Sequence, residues 1–150
     1  MGLHAPDFLQ LGGVEVLTKK IDHIGIAVRD ASTKLSLYKN FLGLTDIHTE
    51  ELSSRGIRVY MIRVGESKIE LLEPMNEQSE ISKFLEAKGE GIHHIAFNVQ
   101  GIDQAVELAK QNGLQPLSDS PKPGAGGTKV LFLHPKTTGG VLIELVEGNH

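Results

Sequence analysis

The chain has 150 residues, no cysteine, and a net charge of −4 from 15 basic and 19 acidic side chains. That length suits a single domain with a sizeable core, and the missing cysteines remove disulfides, zinc–thiolate sites and thiol nucleophiles together. No basic run interleaved with aromatics appears, so nucleic acid and anionic membrane surfaces are excluded as expected partners, and no apolar stretch approaches the roughly 18 residues of a membrane span.

Residues 1–19 lack the basic start and apolar block of a secretory signal and have no counterpart later in the chain. They are expected to be an extension ahead of a domain over 20–150, in a cytoplasmic protein. Ile21 to Val28 alternates and is rich in β-branched residues, which predicts a strand. Asp30 then offers an N-cap, Leu35, Tyr38, Phe41 and Leu42 fall at helical spacing, and Gly43 supplies a stop. Ile57 to Val64 and Ser67 to Leu72 read as a hairpin around Gly65-Glu66, ended by Pro74. Ser79 to Lys88, with Ile81, Phe84 and Leu85 on one face, predicts a bridging helix.

The programme then restarts. A strand over 92–99 is followed by Asp103 as N-cap, a helix carrying Val106, Leu108 and Ala109, and Gly113 as stop. Ser120 to Gly127 is a loop by composition. Strands at Lys129–Leu133 and Gly140–Val146 flank the turn from His134 to Gly139, and a further strand is expected in each of Leu44–Glu51 and Leu114–Ser118. The pattern predicts an α+β fold: two tandem β-α-β-β-β modules, about 20–75 and 91–147, making mixed sheets with helices on one side.

The two halves repeat each other in chemistry as well as in pattern. Asp22-His23-Ile24-Gly25 returns as His93-His94-Ile95-Ala96, and Ile69-Glu70-Leu71-Leu72-Glu73 returns as Ile143-Glu144-Leu145-Val146-Glu147. Strand alternation puts His23 on a face with Gly25 and Ala27, and His94 on a face with Ala96 and Asn98, leaving room for an ion and a ligand. His93 has the opposite parity and reads as a strand-end residue. Glu70 and Glu144 sit among apolar neighbours, where an unpartnered carboxylate costs several kcal/mol if buried. A lone strand histidine is ordinarily a hydrogen-bonded structural residue, and a lone glutamate the wet face of a sheet. Four such residues at equivalent places of a repeat point instead to one divalent metal.

These residues resemble the vicinal oxygen chelate superfamily of glyoxalase, bleomycin-resistance and dioxygenase proteins, whose paired modules form one cupped sheet around a metal. The stretch from Lys20 to Glu147 is most similar to the methylmalonyl-CoA epimerases, above all in His134-Pro135-Lys136-Thr137-Thr138-Gly139-Gly140-Val141-Leu142-Ile143-Glu144-Leu145 and the preceding Lys122-Pro123-Gly124-Ala125-Gly126-Gly127. The resemblance implies a homodimeric isomerase that binds one divalent ion per subunit through His23, Glu70, His94 and Glu144, with Co²⁺ first among Co²⁺, Ni²⁺, Mn²⁺ and Zn²⁺. It implies epimerisation of (2R)- and (2S)-methylmalonyl-CoA by C2 proton abstraction through a metal-stabilised enolate, with Glu144 and Glu70 as catalytic carboxylates. Some epimerases carry a second catalytic Glu at the place of Val59, so a second proton carrier is not evident here; Glu50 and Glu51 are rivals in a solvated run. Lys122, Gly126, Gly127, Lys129 and Lys136 are candidate contacts to the acyl-CoA thioester. The competing functions are a glyoxalase I-type hemithioacetal isomerase, an iron(II) dioxygenase using His23, His94 and Glu144, and a metal-free small-molecule binding module.

Overall fold

The computed structural model describes residues 16–149. Its strands are β1 (Leu17–Ala27), β2 (Ile47–Leu52), β3 (Ile57–Val64), β4 (Ser67–Pro74), β5 (Gly91–Gln100), β6 (Lys122–Pro123), β7 (Lys129–Leu133) and β8 (Ile143–Glu147). Its α-helices are α1 (Glu80–Lys88) and α2 (Ala105–Gln111). The strands form one sheet in the order β2-β3-β4-β1-β5-β8-β7-β6. β1 and β5 pair antiparallel at the centre, β1 runs parallel to β4, and β5 runs parallel to β8. Each half thus repeats the other about a pseudo-twofold between β1 and β5. The extension expected over residues 1–19 lies, as far as residue 15, outside the described residues; from Leu17 onward the chain is already in β1.

The sheet curls until its edges meet. Gly126, in the loop between β6 and β7 at one edge, donates its backbone N–H to Glu50 Oε1 on β2 at the other, over 2.9 Å. Right-handed twist in a mixed sheet supplies this curvature, and the result is a cup with a concave and a convex face.

Helices pack on both faces, not on one. α1 closes part of the concave side, where Ile81, Leu85 and Phe84 meet Ala27, Ile57, Val59 and Leu72. It begins at Ser79, whose side chain accepts from the Ser82 N–H, and stops at Gly89 with φ +78°. On the convex side, the helical turns after β1 pack on Ile62, Leu71 and Ile69, and those after β5 pack on Leu131, Leu145 and Phe97.

The repeated second glutamate of each half explains itself here. Glu73 accepts from the Ala31 N–H at 2.8 Å and Glu147 from the Ile102 N–H at 2.9 Å. Each ties the start of its module's helical segment to the sheet by filling one of the donors that a helix start leaves open. Asp103 does not act as the cap expected of it. Gly101 precedes the 3₁₀ turn Ile102–Gln104, and Asp103 instead pairs with Lys129 Nζ at 3.1 Å.

Two elements depart from their predicted form. The helix expected from Asp30 to Gly43 is a 3₁₀ turn followed by a π-helical turn, Leu37–Phe41. The wider turn keeps Leu35 and Tyr38 against the core but rotates Phe41 and Leu42 out, to 80% and 50% exposure. The strand expected at Leu114–Ser118 reduces to a single bridge, Pro116 with Leu133, and the edge is finished by the two-residue β6. Pro116, Pro121 and Pro123 have no N–H to give a ladder, so only a short edge is possible.

Candidate metal centre and active site

The four central strands each bring one side chain to the floor of the cup: His23 from β1, Glu70 from β4, His94 from β5 and Glu144 from β8. The ladders set them level, because Gly25 stands opposite both Glu70 and His94, and Ala96 stands opposite His23 and Glu144. All four are buried, at 4–5% exposure. Gly25 is needed for this arrangement: a Cβ there would lie 2.3 Å from His94 Cε1. The small-residue face read from the sequence is the space the histidine ring occupies.

The donor atoms converge. His23 Nε2 lies 2.9 Å from His94 Nε2, 3.1 Å from Glu144 Oε1 and 3.4 Å from Glu70 Oε1, and His94 Nε2 lies 2.9 Å from Glu144 Oε1. Adjacent ligands at about 2.0–2.2 Å from one ion stand about 3.0 Å apart in an octahedral arrangement and about 3.4 Å apart in a tetrahedral one. The spacing therefore fits a single divalent ion. His23, His94 and Glu144 form one candidate ligand group, and His23 and Glu70 belong with Asp22 to a second that shares His23.

The residue before each histidine holds its ring. Asp22 Oδ1 takes the Nδ1 hydrogen of His23 at 2.7 Å, and Asn98 Nδ2 donates to Asp22 Oδ2 at 2.8 Å. In the other half, His93 Nδ1 lies 2.9 Å from His94 Nδ1. Both residues sit where the β1–β5 register shifts, between Ile21 and His23 and between Gly25 and Ile26. These irregularities turn two adjacent side chains inward, so His93 borders the cavity in place of the strand-end position its parity predicts. With Nδ1 engaged on both rings, the Nε2 atoms face the centre, the usual support for a metal-binding histidine.

Glu144 Oε1 is fully buried and faces the two imidazole Nε2 atoms at 2.9 and 3.1 Å, so a proton on a ring or a cation shared with both rings has to balance its charge. Burial alone would lower the pKa of His23, but Asp22, Glu144 and the charge of Glu70 raise it to about 10. Burial would likewise raise that of Glu144, but His23 and His94 bring it down to about 2. In an ion-free cup, a proton held at His23 takes the cation's place. His93 moves the other way, to about 4, because of its burial and then the charge of His94.

The metal cavity itself is small, about 30 Å³, and is walled by Val59, Leu72, Phe132, Ala125 and Thr128 as well as the four ligands. Two larger spaces adjoin it. One, of about 350 Å³, is bounded by His48, Met61, Arg63, Lys68 and Gly126. The other, of about 390 Å³, lies past His93 and His94 against Phe84, Pro135 and Gly140. The glycine loop and the His134–Gly140 loop thus both stand beside the metal cavity.

The candidate thioester contacts divide. Lys122 pairs with Val130, on the concave face, and is exposed. Lys136 is exposed on the turn capped by His134, whose Nδ1 accepts from its N–H at 3.0 Å. Gly127 is on the loop with φ +78°. Gly126 gives its N–H to Glu50 and borders the 350 Å³ chamber, whereas Lys129 pairs with Asp103 on the convex side. Lys68 was missed: its side chain is buried, 3.6 Å from Asp22 Oδ1, beside the 350 Å³ chamber. Its only signal was a lysine two residues before Glu70, on the same face of the strand.

Comparison with known proteins agrees with this geometry. Residues 22–132 match the model of the Glyoxalase/Bleomycin resistance protein/Dioxygenase superfamily. The mitochondrial methylmalonyl-CoA epimerase of Homo sapiens is 40% identical over 127 residues, 84% of this chain and 72% of that protein. A hypothetical protein from Bacillus halodurans superposes with TM-score 0.83 at 46% identity, covering 87% of this chain and 95% of the other. Streptomyces coelicolor methylmalonyl-CoA epimerase, solved in complex with 2-nitronate-propionyl-CoA, superposes with TM-score 0.82 at 38% identity over 87% and 95% of the two chains. The chain belongs to the Glyoxalase/Bleomycin resistance protein/Dioxygenase superfamily and, within it, to the methylmalonyl-CoA epimerase family of isomerases.

Proposed function

We propose that this protein interconverts (2R)- and (2S)-methylmalonyl-CoA by removing the C2 proton and returning one to the opposite face. The observation that carries the reading is the convergence of two imidazole nitrogens and two buried carboxylate oxygens in the floor of the cup. Its support outside the site is the similarity to an epimerase solved with a propionyl-CoA nitronate.

His23, His94, Glu144 and Glu70 would hold one divalent ion, with Co²⁺ the first choice. Such an ion supplies a Lewis acid for the negative charge that develops on the thioester oxygen once the proton leaves. The chain's own residues do the rest. Asp22 and His93 hold the two rings in place. Glu144, whose second oxygen is left over from the ion, exchanges the proton at C2, a role of about 10²–10⁴-fold in rate. Glu70, the other carboxylate that the resemblance implies as catalytic, completes the ligand set. The apolar wall of Val59, Leu72 and Phe132 keeps water from the reacting carbon. Lys122, Lys136 and Gly127 remain the candidate contacts to the CoA arm, in a homodimer of the cytoplasm. Among the described residues, no helix is long and apolar enough to cross a membrane.

Incubating the Co²⁺-loaded protein with one stereoisomer of methylmalonyl-CoA should yield both, and chelation of the ion should abolish the conversion. Recovery of the starting isomer alone from metal-loaded protein would refute the reading.

A further inference from the structure

Epimerisation needs a proton carrier on each face of C2, and Glu144 serves one. We propose that the second is Glu50, a deepening that rests on the epimerase reading above. Antiparallel partners directly opposite each other project to the same face, with Cβ atoms about 4.5–5.5 Å apart. The β3–β4 ladder sets Met61 opposite Glu70 and Val59 opposite Leu72, so Val59 shares the concave face with Glu70. The β2–β3 ladder sets Glu50 opposite Val59, which carries that face one strand further. Glu51, the neighbouring carboxylate, turns the other way and pairs with Arg58 at 2.9 Å. Among the described strands, Glu50 is the one carboxylate besides Glu70 and Glu144 that the regular ladder turns into the cup.

Its surroundings place it at a junction. Val59 and Ala125 wall the metal cavity, Met61 and Gly126 wall the 350 Å³ chamber beside it, and the Glu50–Gly126 hydrogen bond lies on the border between the two. The 30 Å³ metal cavity is too small for a methylmalonyl group, whereas the adjoining chamber has the room for a thioester arm. The strand order sets β2 five strands from β8, so Glu50 and Glu144 project into the cup from different walls, and a substrate with its carboxylate end at the ligands and its arm in that chamber lies between them.

The step balances with these two groups alone. One carboxylate takes the C2 hydrogen as a proton, and the electron pair of the broken C–H bond moves into the C1–C2 bond, with charge on the thioester oxygen. The opposite carboxyl group, protonated beforehand from solvent, gives its proton to the other face of C2. The two groups end with their protonation states exchanged, and solvent resets them.

Glu50→Gln separates this role from a structural one, because the amide oxygen can still accept from Gly126 while its basicity is gone. Each stereoisomer is incubated separately in D₂O with Co²⁺-loaded protein, and C2 hydrogen loss is followed by NMR alongside Co²⁺ affinity and melting temperature. The variant should keep its affinity and melting temperature, exchange one stereoisomer at close to the wild-type rate, and lose at least about 10²-fold on the other. Wild-type exchange of both isomers by the variant would overturn the assignment. Equal loss of both together with weakened Co²⁺ binding would overturn it too, by showing a structural role. A wild-type protein that exchanges neither isomer would bring down the epimerase reading itself, a result distinct from either.

Discussion

At the centre, His23 is gripped from two sides: Asp22 on Nδ1, and the carboxylates of Glu144 and Glu70 beyond Nε2. Replacing Asp22 by Asn removes the charge that fixes the ring and should weaken divalent-ion affinity by about 10–100-fold, measurable by calorimetric titration. An unchanged affinity would show that the ring needs no such support. Ion binding must also displace the proton that His23 keeps at neutral pH, since Asp22, Glu144 and Glu70 raise its pKa to about 10. Titrations at pH 7–8 in buffers of different ionisation heat should therefore show release of about one proton per ion. The stability sign follows from the same shift. A raised histidine pKa adds stability that is complete below the unfolded value, 6.5, and is lost as pH climbs toward 10. The melting temperature of the ion-free protein should fall across that window, while that of the ion-loaded protein, with no proton to lose at His23, should not follow it. Gly25 offers a steric test. Gly25→Ala should push the His94 ring aside and lower ion affinity, since its methyl would meet Cε1 at 2.3 Å.

At the scale of elements, the repeated β4 and β8 segments do two jobs: the first glutamate faces the cup and the second, three residues on, fastens its own module's helix start from the convex side. Glu147→Ala should cost about 1 kcal/mol in urea unfolding, the order of a lost helix cap, with little change in ion affinity. The pairing of His23 with His94 and of Glu70 with Glu144 was legible because strand alternation and the offset of the repeat survive in the structure. Asp22 and His93 were not legible as inward residues, because a register shift suspends alternation at the positions where they stand. Glu50 was hidden for a different reason. Its segment is polar at nearly every position, and only its partner Val59 reveals which way it points. Phe41 and Leu42 were misplaced because helical spacing assumes 3.6 residues per turn, and a π-helical turn has more.

Across the whole molecule, the two halves share one centre: β1 and β4 supply His23 and Glu70, while β5 and β8 supply His94 and Glu144. An ion bound there links the modules and favours only the folded state. At 100 times its dissociation constant it should add about 2.7 kcal/mol, seen as a melting temperature that rises with ion concentration. The central claim is that this shared centre holds an ion and that Glu144 moves the proton beside it. Its most direct test is C2 hydrogen exchange of methylmalonyl-CoA in D₂O, followed by NMR for wild type, Glu70→Gln and Glu144→Gln, each with its Co²⁺ content measured. With each stereoisomer tested separately, exchange of both should be rapid in the wild type and appreciable in Glu70→Gln, whereas a Glu144→Gln protein that still carries Co²⁺ should lose at least about 10²-fold on one stereoisomer and fail to interconvert the two. Exchange of both stereoisomers at the wild-type rate in ion-loaded Glu144→Gln would contradict the account.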